Sequence, residues 1–197
     1  MGKHNHPSAF LSFSSAPLRF SQPVACDVSV TAARPLAAGA QGGQSARTFP
    51  MKTKVLFVCI HNSARSQMAE AWLNRICPEF FHASSAGIEP GTLNPLVVEA
   101  MAEEGIDISR QVPQGVGDVF KRGETFGYLI TVCDETSAER CPVFPGSGLR
   151  LHWGFPDPST LAGTREEKLA EVRKIRDVIR AKVEAWCAEK CAVEAAR

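Results

Sequence analysis

Cys59, followed by five residues and then Arg65, is the spacing in this chain with the clearest chemical content. The segment Cys59-Ile60-His61-Asn62-Ser63-Ala64-Arg65-Ser66 follows an apolar run, Val55 to Cys59, and leads straight into a helical pattern. A loop between a buried strand and a helix start turns backbone N–H groups inward, and the helix dipole favours negative charge there. Asn62, Ser63, Ala64, Arg65 and Ser66 are therefore the candidate oxyanion-binding residues, with Arg65 able to grip two oxygens of a tetrahedral anion. The same field favours the thiolate of Cys59, the nucleophilic form, and Ser66 is placed to donate to its sulfur. Bare Cys/Arg spacing is common by chance; its position between a strand and a helix gives it meaning.

Two further groups join this loop. Trp153-Gly154-Phe155-Pro156-Asp157-Pro158 holds a carboxylate between two prolines, and Cys133 closes an apolar run eight residues before Cys141. Asp157 alone reads as an ordinary turn residue, and Cys133 and Cys141 alone read as bystanders. Cys77 reads as packing at a helix end. Cys187 and Cys191, four apart on one helix, read as incidental rather than a metal pair, and Cys26 lies in an amino-terminal segment of different character. His61 is expected to point out of the loop and His152 to pack beside Trp153.

The elements that must position these residues alternate. Strands are predicted at Val55–Cys59, Phe80–Ala83, Tyr128–Cys133 and Leu149–Trp153. Ser84-Ser85-Ala86-Gly87 is read as a small-residue turn. Helices are predicted from Ser66 to Cys77, stopped by Pro78, and from Pro95 to Glu104, stopped by Gly105. Thr164-x-x-Glu167 is a capping box that opens a long helix through about Lys190. The alternation predicts a three-layer α/β fold with a four-stranded parallel sheet flanked by helices. Sites in such sheets form beyond the carboxyl ends of the strands, where Cys59, Cys133 and Asp157 are expected.

Residues 1–50 have no amphipathic period; half are Ala, Ser, Pro or Gly, and Asp27 is their only acid. They are expected to be a disordered extension, read as sequence upstream of a start at Met51, with a transit peptide as the competing reading. The domain is placed at residues 51–197. The chain's net charge of +1 and the absence of a basic cluster argue against a nucleic-acid partner. No apolar run is long enough to span a membrane. Seven cysteines at irregular spacing do not form a secreted disulfide framework, so a reducing cytoplasm is the expected setting.

Val55 to Asn74, VLFVCIHNSARSQMAEAWLN, resembles the loop and first helix of thioredoxin-coupled arsenate reductases, which share their fold with the low-molecular-weight protein tyrosine phosphatases. Asn62-Ser63-x-Arg65-Ser66-Gln67-Met68-Ala69-Glu70 and Ser85-Ala86-Gly87 carry the likeness, which runs from about Lys52 to the last helix. The resemblance implies an arsenate reductase with Cys59 as nucleophile, Asp157 as general acid, and Cys133 and Cys141 as a disulfide relay. It also implies thioredoxin as electron donor, with a glutaredoxin or a low-molecular-weight thiol as substitutes. No tightly bound cofactor is implied, though a potassium ion at Asn62, Glu70 and Ser85 is. Ala64 stands where many relatives carry a second loop cysteine, and the Cys133-to-Cys141 spacing is one residue wider than in familiar relatives. A phosphomonoester hydrolase would need only Cys59, Arg65 and Asp157, with water as second nucleophile. A non-enzymatic sensor of trivalent arsenic or zinc would leave the loop unexplained.

Overall fold

The computed structural model describes residues 51–134 and 148–195. The expectations for residues 1–50 and for Cys141 lie outside the described residues. Four strands, β1 (Thr53–Cys59), β2 (Phe81–Gly87), β3 (Tyr128–Thr131) and β4 (Leu149–His152), form one sheet in the order β2-β1-β3-β4. All three pairings are parallel, with Cys59 opposite Gly87 and Val58 opposite Thr131. The helices are α1 (Arg65–Ile76), α2 (Pro95–Glu103), α3 (Val116–Lys121) and α4 (Arg165–Ala195).

The alternation of β1 builds two cores. Val55, Phe57 and Cys59 face one way, into the cluster that α1, α2 and α4 complete through Met68, Leu73, Met101, Val172 and Ile179. Leu56 and Val58 face the other way, onto Val116 and Val119 of α3. A strand covered on both faces must be apolar at every position, which is why Val55 to Cys59 shows no polar alternation. The result is the three-layer α/β arrangement, with β1 central and the amino ends of the helices turned toward the strands' carboxyl ends.

Helix boundaries fall within one or two residues of the predicted ones, save at the end of α4. Gly105 takes the left-handed conformation (φ 71°) that ends α2. The capping box is formed: Glu167 N–H donates to Thr164 Oγ1 (3.2 Å) and Thr164 N–H to Glu167 Oε2 (2.8 Å). α4 continues to Ala195, beyond the predicted Lys190.

Two readings are corrected. Ser84 to Gly87 is not a turn but the second half of β2. Its small residues are there because β2 lies against the Cys59 loop: a Cβ on Gly87 would sit 2.8 Å from Asn62 N. Small residues at a close backbone approach imitate the composition of a turn. Helix α3 was not predicted at all; it has six residues, including Gly117, and buries only Val116 and Val119. Among the described residues no helix is long and apolar enough to cross a membrane.

Candidate active site

The loop closes around the sulfur of Cys59, which is 2% exposed. Asn62 N–H donates to Cys59 Sγ at 3.1 Å, and Ser66 Oγ lies 3.0 Å from it. Asn62 reaches this position through a left-handed backbone (φ 49°), a conformation that Asn tolerates better than most residues. α1 begins at Arg65 with no side chain capping its first amides, so those donors remain for an anion.

The direction of each hydrogen bond can be worked out from a single fixed donor. Gln114 N–H donates to Asn62 Oδ1 (2.9 Å), which makes the other end of that amide the donor. Asn62 Nδ2 then donates to Ser66 Oγ (2.9 Å) and to Ser85 Oγ (2.8 Å). Because the Ser66 oxygen already accepts, its proton is available to Cys59 Sγ. Two donors thus converge on the sulfur, an arrangement suited to carrying negative charge there. Ser85 in turn donates to Glu70 Oε2 (2.6 Å), and Gln67 Nε2 holds Asn62 O (3.0 Å). Asn62, Ser66, Gln67 and Ser85 are all almost fully buried, so the network is rigid.

Arg65 is the cation of the site and is 3% exposed. Its Nη2 donates to Asp157 Oδ2 (2.5 Å), and its Nη1 donates to Phe155 O (3.2 Å) and Asp134 Oδ2 (3.4 Å). The other oxygen of Asp157 accepts from Ser159 N–H (2.9 Å) and Ser159 Oγ (2.8 Å). The carboxylate is thus held at the mouth of the loop by the 3-10 turn Pro158–Thr160, which it caps.

Cys133 is fully buried one residue past Val132, whose N–H donates to Val58 O (2.8 Å). The second thiol therefore leaves the strand adjacent to the one that delivers Cys59. His61 is exposed, with Nδ1 3.1 Å from Glu89 O. His152 is exposed too, its Nδ1 2.7 Å from Thr131 Oγ1.

Gln67 stood within the family-like run, five residues from its partner Asn62, whereas Gln114 and Asp134 also belong to the site and were not singled out from the sequence. Their partners are set by the fold, and no local spacing marks them. Glu70 stands at the far end of the network, and burial pushes its carboxyl above the ordinary 4.5, with the Ser85 hydroxyl opposing. Gln111 Nε2 meets Glu70 Oε1 only at 3.5 Å, and the buried oxygens Gln67 Oε1 and Gln111 Oε1 have no partner among the described residues. A half-buried carboxylate with the unpartnered amide oxygen of Gln111 near it is the kind of hard oxygen set that would suit an alkali or alkaline-earth ion.

The chain belongs to the low molecular weight phosphotyrosine protein phosphatase family, whose model matches residues 54–195. Within that family its similarity runs to proteins named arsenate reductase. One from Bacillus licheniformis is 42% identical over 129 residues, 65% of this chain and 90% of the relative. One from Staphylococcus aureus strain N315 is 37% identical over 134 residues, 68% of this chain and 95% of the relative. Among solved structures, an arsenate reductase from Archaeoglobus fulgidus aligns with a TM-score of 0.50 at 34% identity, covering 66% of this chain and 98% of the other. A tyrosine phosphatase from Erwinia amylovora shares the fold alone, with a TM-score of 0.56 at 18% identity over 71% of this chain and 93% of the other.

Proposed function

We propose that this protein is an arsenate reductase. The observation that carries the reading is the pair of buried cysteines at adjacent strand ends, Cys59 in the oxyanion loop and Cys133 beside it. A phosphatase needs the first and has no use for the second.

In the proposed reaction the loop amides and Arg65 hold arsenate, and the Cys59 thiolate attacks arsenic. Asp157 protonates the departing oxygen, which leaves as water. The Cys133 thiolate then attacks the Cys59 sulfur; the sulfur–arsenic bond breaks and its electron pair goes to arsenic. Arsenite departs, leaving a Cys59–Cys133 disulfide. Cys141 attacks the Cys133 sulfur, freeing Cys59 as thiolate and moving the disulfide to Cys133–Cys141. An external dithiol, thioredoxin or a glutaredoxin-type donor, reduces it by exchange. A potassium ion held by Glu70, Ser85 and Asn62 would stiffen the loop from behind.

The test is arsenate-dependent NADPH oxidation coupled through thioredoxin and thioredoxin reductase. Turnover lost in both Cys59→Ser and Cys133→Ser is the expected result. Aryl-phosphate hydrolysis that needs Cys59 but not Cys133, without arsenate turnover, would return the protein to the phosphatases.

A further inference from the structure

His61 stands inside the anion loop, and nothing in the proposed reaction uses it. Its imidazole is exposed and lies against the segment that follows β2, with Nδ1 3.1 Å from Glu89 O. A carbonyl oxygen can only accept, so Nδ1 carries the proton and His61 is the donor. Main-chain bonds run along the same line. Ile88 N–H donates to Cys59 O (3.1 Å), Glu89 N–H to Ile60 O (2.8 Å), Gly91 N–H to His61 O (2.8 Å) and Asn94 N–H to Ser63 O (2.9 Å). The remaining carbonyl of this stretch, Asn62 O, accepts from Gln67 Nε2 (3.0 Å).

A trans peptide unit points its C=O and the following N–H in opposite directions. Holding the carbonyls of residues 59–63 from outside therefore turns the N–H groups of residues 60–64 inward, where an anion would sit. Asn62 shows the effect directly, with its N–H on Cys59 Sγ at 3.1 Å. The same residue has the left-handed backbone (φ 49°), which a residue other than glycine adopts at a cost, so the chain needs a brace here. On its other flank the loop meets β2: a Cβ on Gly87 would stand 2.9 Å from both His61 C and Ile60 O.

We propose that His61 is a positioning residue for the oxyanion. By donating from Nδ1 to Glu89 O it clasps the loop to residues 88–94 and keeps the loop amides turned toward the anion. The bond closes a short ring with Glu89 N–H on Ile60 O and Gly91 N–H on His61 O, so the loop cannot turn at this point without breaking all of them together. His61 acts through the loop backbone, not on a reacting atom. A loop already in shape need not be ordered by the anion, and that shows as affinity. The inference rests on the reading of residues 59–65 as an oxyanion loop and holds whichever oxyanion reacts there.

The probe is inorganic phosphate, titrated calorimetrically into the reduced full chain. His61→Ala should weaken binding by about three- to tenfold, the range that one net hydrogen bond supplies. His61→Asn, whose amide nitrogen falls where the imidazole Nδ1 lies, should restore most of that loss. His61→Gln, whose amide nitrogen takes the place of Nε2, should not. Asn and Gln are both uncharged, so a difference between them assigns the effect to the position of the donor and not to charge. Circular dichroism and the melting temperature report the fold of each variant. His61→Ala binding phosphate as tightly as wild type would overturn the proposal, as would a loss that Asn and Gln repair equally or that neither repairs. Wild type that binds no phosphate would overturn the oxyanion reading, and this proposal with it.

Discussion

One helix carries a cysteine environment at each end, and the two are opposites. At the amino end of α1, Cys59 Sγ receives a backbone N–H and stands 3.0 Å from a serine hydroxyl whose oxygen is already engaged. At the carboxyl end, Cys77 faces other thiols where the helix presents carbonyl oxygens. Both sulfurs are buried to nearly the same degree, 2% and 4% exposed. Burial therefore does not distinguish them; the donors do. The helix dipole acts with the donors at one end and against a thiolate at the other. The lesson is that a cysteine's chemistry here is read from which end of a helix it occupies and from what points at its sulfur.

The largest expected effect tests this contrast directly. Iodoacetamide at pH 7 should label Cys59 more than about a hundredfold faster than Cys77, as mapped by peptide mass spectrometry. Comparable rates would dissolve the comparison. A second, smaller effect isolates the serine. Ser66→Ala removes a hydrogen bond to a charged group, worth about 1.5–3 kcal/mol. Labelling of Cys59 should slow by roughly tenfold or more, and Cys77 should be unaffected. If Ser66→Ala leaves Cys59 unchanged, the backbone N–H and the helix suffice by themselves.

The smallest effect lies behind the loop. Burial raises the folded-state pKa of Glu70, so its contribution to stability is fully present below the unfolded value near 4.5 and is lost as pH rises through the folded value. Glu70→Gln escapes that loss. In choline buffer its melting temperature relative to wild type should therefore climb as pH rises above about 4.5, by on the order of a few degrees. Potassium should narrow the difference. A difference independent of pH would mean that the carboxylate is not penalised by its burial.

The loop was legible in the sequence because everything that makes it work is local. A cysteine, an arginine and a serine stand within eight residues, between a strand and a helix that are themselves legible. The capping box of α4 was readable for the same reason. What could not be read depends on separation along the chain. Gln114 orients Asn62 across 52 residues, and Asp134 meets Arg65 across 69. Neither contact leaves a period or a spacing in the sequence. Gly87 misled in a different way, since the absence of a side chain served the approach of the loop rather than a turn. Cys77 and Cys187 were read as unrelated because 110 residues and two helices separate positions that the packing of α1 on α4 brings together.

The engagement of Arg65 by Asp157, Phe155 O and Asp134 has a consequence for anion choice. The resting protein already supplies its guanidinium with acceptors, so an incoming anion competes with an internal tenant before it meets the sulfur. A halide or a singly charged carboxylate offers too few oxygens to take over those contacts together with the helix amides. A tetrahedral dianion can replace them all in one exchange. Selectivity thus begins as a displacement reaction, in which the protein's own carboxylates set the threshold that a guest must exceed.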